Sequence, residues 1–299
     1  MFTMRILFSL LIISSLTSCN FIRTNNTGKN SNSGNERIVD LNAISQTKIV
    51  TVGGYRDVLH QLDQGDLKSI GIAATLLKKC DADSISLDSM FFEYNDFLNI
   101  TTSSFLENNE QVSSQLANST SKDTIDKIGE MLAPYGIGLV PSEGAWYLEP
   151  QNDYLLKNFG SKLTTAYREY LNIEVQEQKV RFSEDCSILI PLDSLASRII
   201  TWENFLARYP DFISFKIAQD QYAQYLGVYL AGMDNSRVFN LVTNRLNEEH
   251  KKSFESFITL NPDSKSAEIV KAYLELLGAT NFYYTDKVDS FLLVRVYQG

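Results

Sequence analysis

Histidine is nearly missing from this chain: His60 and His250 are the two in 299 residues. Neither has a second histidine or a cysteine at metal-ligand spacing, which argues against a zinc site built on imidazole. A Ser-His-Asp triad would have to use one of these two, and no G-x-S-x-G elbow accompanies either. Both are read as surface helix residues. Cysteine is scarce as well: Cys19, Cys80 and Cys186. One pair left after Cys19 is not a disulfide framework, and Cys80 and Cys186 are read as separate thiols. Clustered cations are missing too. The formal charge is −9, and the densest basic spots are the pairs Lys78-Lys79 and Lys251-Lys252. Nucleic acid and anionic headgroups both need more clustered positive charge than that, so no nucleic-acid partner is expected and the acidic chain is a poor candidate for anionic headgroups.

Other fragments of catalytic or metal motifs fall short. Ser45-Gln46-Thr47-Lys48 has the S-x-x-K form without a companion motif. Asp81-Ala82-Asp83-Ser84-Ile85 opens like a calcium loop, but Ile85 stands where an oxygen ligand is needed and the loop glycine is missing. A helix N-cap at Asp83 or Ser84 explains the same residues. Gly53-Gly54 is too short to cradle a phosphate and reads as a turn before the first helix. Glu248-Glu249 diverge by about 100° on a helix, so they are not a convergent carboxylate pair. No catalytic constellation, cofactor or metal is expected.

What is present begins at the N-terminus. Arg5 precedes an apolar run, Ile6 to Ile13, broken by Ser9, and Leu16-Thr17-Ser18-Cys19 follows. This is the pattern of a secretory signal peptide, with an apolar core too short to span a bilayer. Its end resembles the lipobox of bacterial lipoproteins. That resemblance implies removal of residues 1–18, acylation of Cys19 and attachment to the membrane through the N-terminal lipid. Asn20 to Glu36, rich in Asn, Ser, Thr and Gly, follows as a tether. Its seventeen residues reach roughly 20–25 Å as a flexible chain. Some surface-exported lipoproteins carry an acidic tract after the cysteine. None stands here before Glu36, which implies an outer-membrane protein facing the periplasm.

From Arg37 the dominant pattern is helical. Apolar residues recur at three- and four-residue steps over Tyr55–Leu62, Leu67–Leu77, Ser84–Leu98 and Asp123–Leu132. The polar stretch from Thr101 to Thr120 reads as a surface helix with a thin apolar stripe. Tyr135 to Pro150 breaks the pattern, with Pro141-Ser142-Glu143-Gly144 between two apolar runs, and reads as one small β-hairpin. It separates an N-terminal helical region, residues 37–150, from a C-terminal one, residues 151–299. Asn152 to about Phe182 is expected as one long helix, or two with a bend near Gly160. Pro191 opens another helix that runs to about Tyr209.

One internal repeat stands out. Residues 202–217 and 254–269 align at an offset of 52, sharing Glu, Phe, Pro, Asp, Ser and Ile, with Trp202 opposite Phe254. Each copy predicts a helix, a Pro-Asp corner and a second helix. The F-x-x-x-x-P-D-S corner resembles the junction of tetratricopeptide-type repeats, although their usual period is 34 residues. The resemblance covers Pro191 to Gly278 and implies stacked helical hairpins. The expected fold is mainly α: a tetratricopeptide-like solenoid with one small β-hairpin near 135–148.

Aromatic stripes remain. Tyr222, Tyr225 and Tyr229 share one helical face, and Tyr273 lies four residues beyond the second copy. Such stripes are usually core. On a concave solenoid surface they would bind a peptide or stack on sugar rings. The expected function is a cell-envelope lipoprotein that serves as a helical scaffold for a protein or peptide partner. The alternative is a glycan- or nutrient-binding lipoprotein of an uptake system. Tyr222, Tyr225, Tyr229 and Tyr273 are the candidate contact residues.

Overall fold

The computed structural model describes residues 48–118 and 121–297. The signal segment, Cys19, the tether and the expected start of the folded part near Arg37 lie outside these residues, as does Ser45. The described residues are mainly helical, and they fall into two compact units that divide between Tyr154 and Leu155. None of their helices is long and apolar enough to cross a membrane.

In the first unit, α1 (Val52–Leu59) takes in Gly53-Gly54 as its first turn, not as a loop before it. The Thr51 hydroxyl caps it by accepting from Gly54 N at 3.1 Å. Asp66 caps α2 (Leu67–Lys79). Asp83 caps α3 (Ser84–Asn108) through Ile85 N and Ser86 N, both at 3.0 Å. The Asp81–Ile85 segment is therefore a helix start. The aromatic core of the unit comes from Tyr55, Phe91, Tyr94 and Phe97. The Tyr55 hydroxyl donates to Ala73 O at 3.0 Å, tying α1 to α2.

The stretch after Thr101 divides differently from the sequence expectation. Thr101, Thr102 and Phe105 are buried, so α3 continues along its apolar stripe to Asn108. The break comes at Asn109, whose Nδ2 returns to Phe105 O at 2.8 Å and ends the helix. Then α4 (Glu110–Asn118) and α5 (Lys122–Leu132) follow. Strands β1 (Ile137–Ser142) and β2 (Ala145–Pro150) form the expected hairpin, with Ser142 opposite Ala145. Its two turn residues, Glu143 and Gly144, both have positive φ, which matches the right-handed twist of the strands. Gly136 precedes the hairpin at φ 73°, and a Cβ there would lie 2.3 Å from the Tyr154 ring. Conformation and space both require glycine at that position.

Helix α6 (Asn152–Phe159) straddles the division between the units. The segment from Asn152 onward is two helices: α7 (Thr165–Lys179) begins after a break at 160–164, with Thr164 as its cap. It stops before Phe182. Helices α8 (Leu192–Arg208) and α9 (Phe215–Ala231) form one antiparallel-connected hairpin, and α10 (Glu248–Leu260) and α11 (Lys265–Gly278) form a second. Pro191 stands at the N-cap of α8, one residue before its first helical position. α12 (Asp286–Leu292) and a π-helical turn, Leu293–Tyr297, follow.

The repeated residues pack alike up to the corner. Trp202, Phe205, Phe254 and Phe257 are all buried. Beyond it the copies diverge. Ser214 directly precedes α9 and makes no side-chain cap bond, whereas Ser264 caps α11 through Ala267 N at 2.9 Å. Ser266, the residue aligned with Ser214, therefore lies inside the first turn of α11.

The second unit holds two further hairpins that the sequence reading lacks. They are β3 (Ser183–Glu184) with β4 (Ser187–Ile188), and β5 (Gly232–Met233) with β6 (Ser236–Arg237). The expectation of one hairpin is corrected to three among the described residues. Asp185 and Cys186 both have positive φ without being glycine. Their turn is held from outside: Asn235 Nδ2 donates to Asp185 O at 2.7 Å and Asn235 N to Cys186 O at 2.9 Å. In return Ile188 N donates to Ser236 Oγ at 2.9 Å. Each two-residue ladder is too short to persist alone, and the two brace each other.

Candidate functional site

Three of the four candidate tyrosines lie in the core. Tyr225, Tyr229 and Tyr273 are at most 2% exposed, and Tyr222 is half-buried. Each hydroxyl has a partner. Tyr222 Oη lies 2.9 Å from Ser266 Oγ, and Tyr229 Oη lies 2.7 Å from Ser253 Oγ. Tyr225 donates to Glu177 Oε2 at 2.7 Å, and Tyr273 to Leu230 O at 3.0 Å. Burial pushes the Tyr229 phenol up to about 12 and the Tyr225 and Tyr273 phenols higher. The expectation that these rings line a concave contact surface is therefore corrected for Tyr225, Tyr229 and Tyr273. They face the neighbouring helices because edge-on ring contacts bury most area there. The Tyr229 and Phe254 centroids are 5.0 Å apart, and Tyr273 meets Phe254 edge-on at 5.9 Å.

The polar groups among these helices gather on three glutamates. Glu177 of α7 accepts from Trp202 Nε1 of α8 at 3.0 Å as well as from Tyr225 of α9. Arg198 adds a hydrogen bond to Tyr225 Oη at 3.1 Å and another to Val180 O. Burial raises the Glu177 carboxyl above its ordinary value, against the lowering pull of these donors and of Arg198. Glu203 of α8 accepts from Lys265 N at 2.7 Å and from Ser266 N at 3.0 Å, and also takes the Ser266 hydroxyl. It thus caps α11 from the preceding hairpin, using two of the donors that a helix start leaves unpaired. Glu169 takes Arg208 and the Tyr209 hydroxyl, the latter at 2.8 Å. Every oxygen of the three carboxylates is engaged by a donor of the protein, so their chemistry here is to join helices.

The two histidines differ. His60 is exposed at the end of α1. His250 is half-buried, and its Nδ1 is buried without a partner; burial lowers its pKa. Its expected surface position is corrected accordingly. Cys80 is buried, its Sγ 3.2 Å from Ile49 O, and Cys186 is half-buried in the β3–β4 turn; neither is in a disulfide. Among the described residues, no group of three acidic, histidine or cysteine side chains is placed to hold a metal ion.

With Tyr225, Tyr229 and Tyr273 buried, the apolar side chains left open in the second unit include several aliphatic ones at or beside turns. Ile213 and Ile217 flank the α8–α9 corner at 44% and 39% exposure. Val180 and Leu189 stand beside the β3–β4 hairpin. Leu241 and Val242, at 75% and 93%, tip the loop between β6 and α10. Periodicity could not find them, since none continues a helical stripe. Compared with protein-family models, with curated proteins and with solved structures, the chain matches none.

Proposed function

We propose that this protein is a lipid-anchored lipoprotein of the bacterial cell envelope whose C-terminal unit is a stack of helical hairpins that holds a protein or peptide partner. The lipobox at Leu16–Cys19 supports the anchor. The observation that carries the scaffold reading is the Glu203 cap. A side chain of one hairpin closes the helix start of the next, and Tyr222 reaches the same serine from α9. Stacked repeats are joined in this way, by contacts between neighbouring hairpins. The aligned residue of the second copy, Glu255, is exposed and pairs only loosely with Lys251 at 4.0 Å. It fits the end of such a stack, where no further hairpin needs a cap.

A corner that presents Ile213 and Ile217 to solvent is suited to receive an apolar anchor of a partner. A photo-crosslinking residue placed at Ile213 or Ile217 in living cells should give one discrete protein or peptide adduct. The Lys216 position, polar and on the same helix, serves as the comparison. Adducts equal at all three positions, or none at either isoleucine in correctly anchored protein, would refute the corner as the contact surface.

A further inference from the structure

The loop between β6 and α10 is a built projection, not a slack connection. Asn247 N donates to Val238 O at 2.9 Å and Asn240 N to Arg245 O at 2.8 Å, with Phe239 and Leu246 paired between them. The chain turns over 241–244. The Asn240 side chain accepts from Val242 N at 3.0 Å and Thr243 N at 2.9 Å, and Asn244 closes the turn with positive φ. The far side is pinned to residues 282–284: Leu246 N donates to Phe282 O at 2.8 Å, and Tyr284 N to Asn244 O at 3.0 Å. All this bonding holds Leu241 and Val242 out into solvent. Leaving two adjacent aliphatic side chains that exposed forgoes the stabilisation that burial would give.

The surroundings favour one occupant. Leu241 and Val242 stand open to solvent, whereas a peptide or sugar site is concave and shields its lining. Beside it, the Arg245 guanidinium lies 5.3 Å from the ring centre of Tyr283, itself 45% exposed, and Lys251 Nζ lies 4.6 Å from that of Phe282. Arg237 is exposed on the strand that leads into the loop. Of the neighbouring acids, Glu248 and Glu249 sit in the first turn of α10, where the helix dipole offsets their charge, and Glu255 lies 4.0 Å from Lys251. An aliphatic tip with tyrosine and cations behind it is the arrangement of a segment that dips into a bilayer, with rings and basic groups at headgroup level. In a chain of formal charge −9 this is a local departure from the prevailing sign.

We infer that Leu241 and Val242 form a second membrane contact, inserted among the acyl chains of a bilayer that carries anionic headgroups. The inference rests on the lipoprotein reading, because the lipid at Cys19 supplies the proximity that two side chains alone cannot. The test uses the whole acylated protein reconstituted into vesicles of phosphatidylethanolamine and phosphatidylglycerol with brominated acyl chains. Val242→Trp, and separately Leu241→Trp, report depth; Ile85→Trp, at an equally exposed site of the first unit, is the control. Melting curves confirm that each variant is folded, and the mass of the N-terminal peptide confirms acylation.

The expected result is blue-shifted emission at positions 241 and 242, with bromine quenching at least severalfold stronger than at 85. Replacing phosphatidylglycerol by phosphatidylcholine should reduce it. Acylated protein in which 241 and 242 quench no more than 85 overturns the inference and leaves the anchor intact. A concentration-dependent blue shift without vesicles overturns it in favour of a second copy of the chain. An unacylated Cys19 overturns the anchor, and the inference with it.

Discussion

Glu203 and Glu255 occupy the same place in two aligned segments and do different work. Glu203 closes the start of α11 with both oxygens, while Glu255 faces solvent. Glu203→Ala should therefore cost about 1–2 kcal/mol, the scale of a lost cap with charged character. Glu255→Ala should leave the melting temperature nearly unchanged. In a double-mutant cycle, Glu203→Ala and Ser266→Ala should be far from additive, since they remove one shared interaction. Equal losses at 203 and 255 would contradict the assignment. Gly227 is a second residue with a legible cause. It stands inside the unbroken helix α9 because a Cβ there would lie 2.1 Å from Tyr297 Oη. Gly227→Ala should destabilise the native chain. With Tyr297 already changed to Ala, the same substitution should stabilise it by up to about 1 kcal/mol, as helix propensity dictates. His250 gives the pH dependence. Burial depresses its folded-state pKa below the usual 6.5, so on acidification the unfolded chain takes up the proton first. Its stabilising contribution is complete above 6.5 and is lost as pH falls through the lower folded value. Chemical denaturation at successive pH values should show that slope in the native protein and a shallower one in His250→Asn.

At the level of elements, much was legible and the reasons are specific. Asp66, Asp83 and Ser121 start helices where the sequence offers an oxygen before an apolar period. The β1–β2 hairpin was readable because Glu143-Gly144 tolerates the left-handed turn. The Pro-Asp corners were readable because proline cannot continue a helix. The β3–β4 and β5–β6 hairpins were not, since two-residue strands carry no period and their support comes from residues about fifty positions away. The tyrosine stripe shows the sharper limit. Spacing places Tyr222, Tyr225 and Tyr229 on one face of α9 but does not say what covers that face. The packed neighbours decide it: α10 and α11, with Phe254 and Ser266, for Tyr229 and Tyr222, and Glu177, Phe182 and Arg198 for Tyr225. Tyr229→Ala and Tyr273→Ala should accordingly lower stability by about 3–5 kcal/mol in thermal or chemical denaturation, as for other buried aromatic truncations. Little change at both sites would mean that they are surface after all.

At the scale of the whole molecule, the two candidate surfaces centre on aliphatic side chains at turns, while Trp202, Phe205, Phe254 and the core tyrosines build the interior. That division suits a protein whose activity is contact. The apolar corner at Ile213 and Ile217 and the projecting Leu241–Val242 loop are separate surfaces, one proposed for a partner and one for the bilayer. Both proposals depend on where the chain resides, and the proposed residence rests on acylation of Cys19. The most direct measurement is the mass of the N-terminal peptide of protein extracted from the membrane fraction of cells with detergent. Residues 1–18 should be absent from it, and the new N-terminal Cys19 should carry a diacylglycerol on its sulfur. A peptide that begins elsewhere, or an intact Cys19 thiol, would contradict the lipoprotein reading.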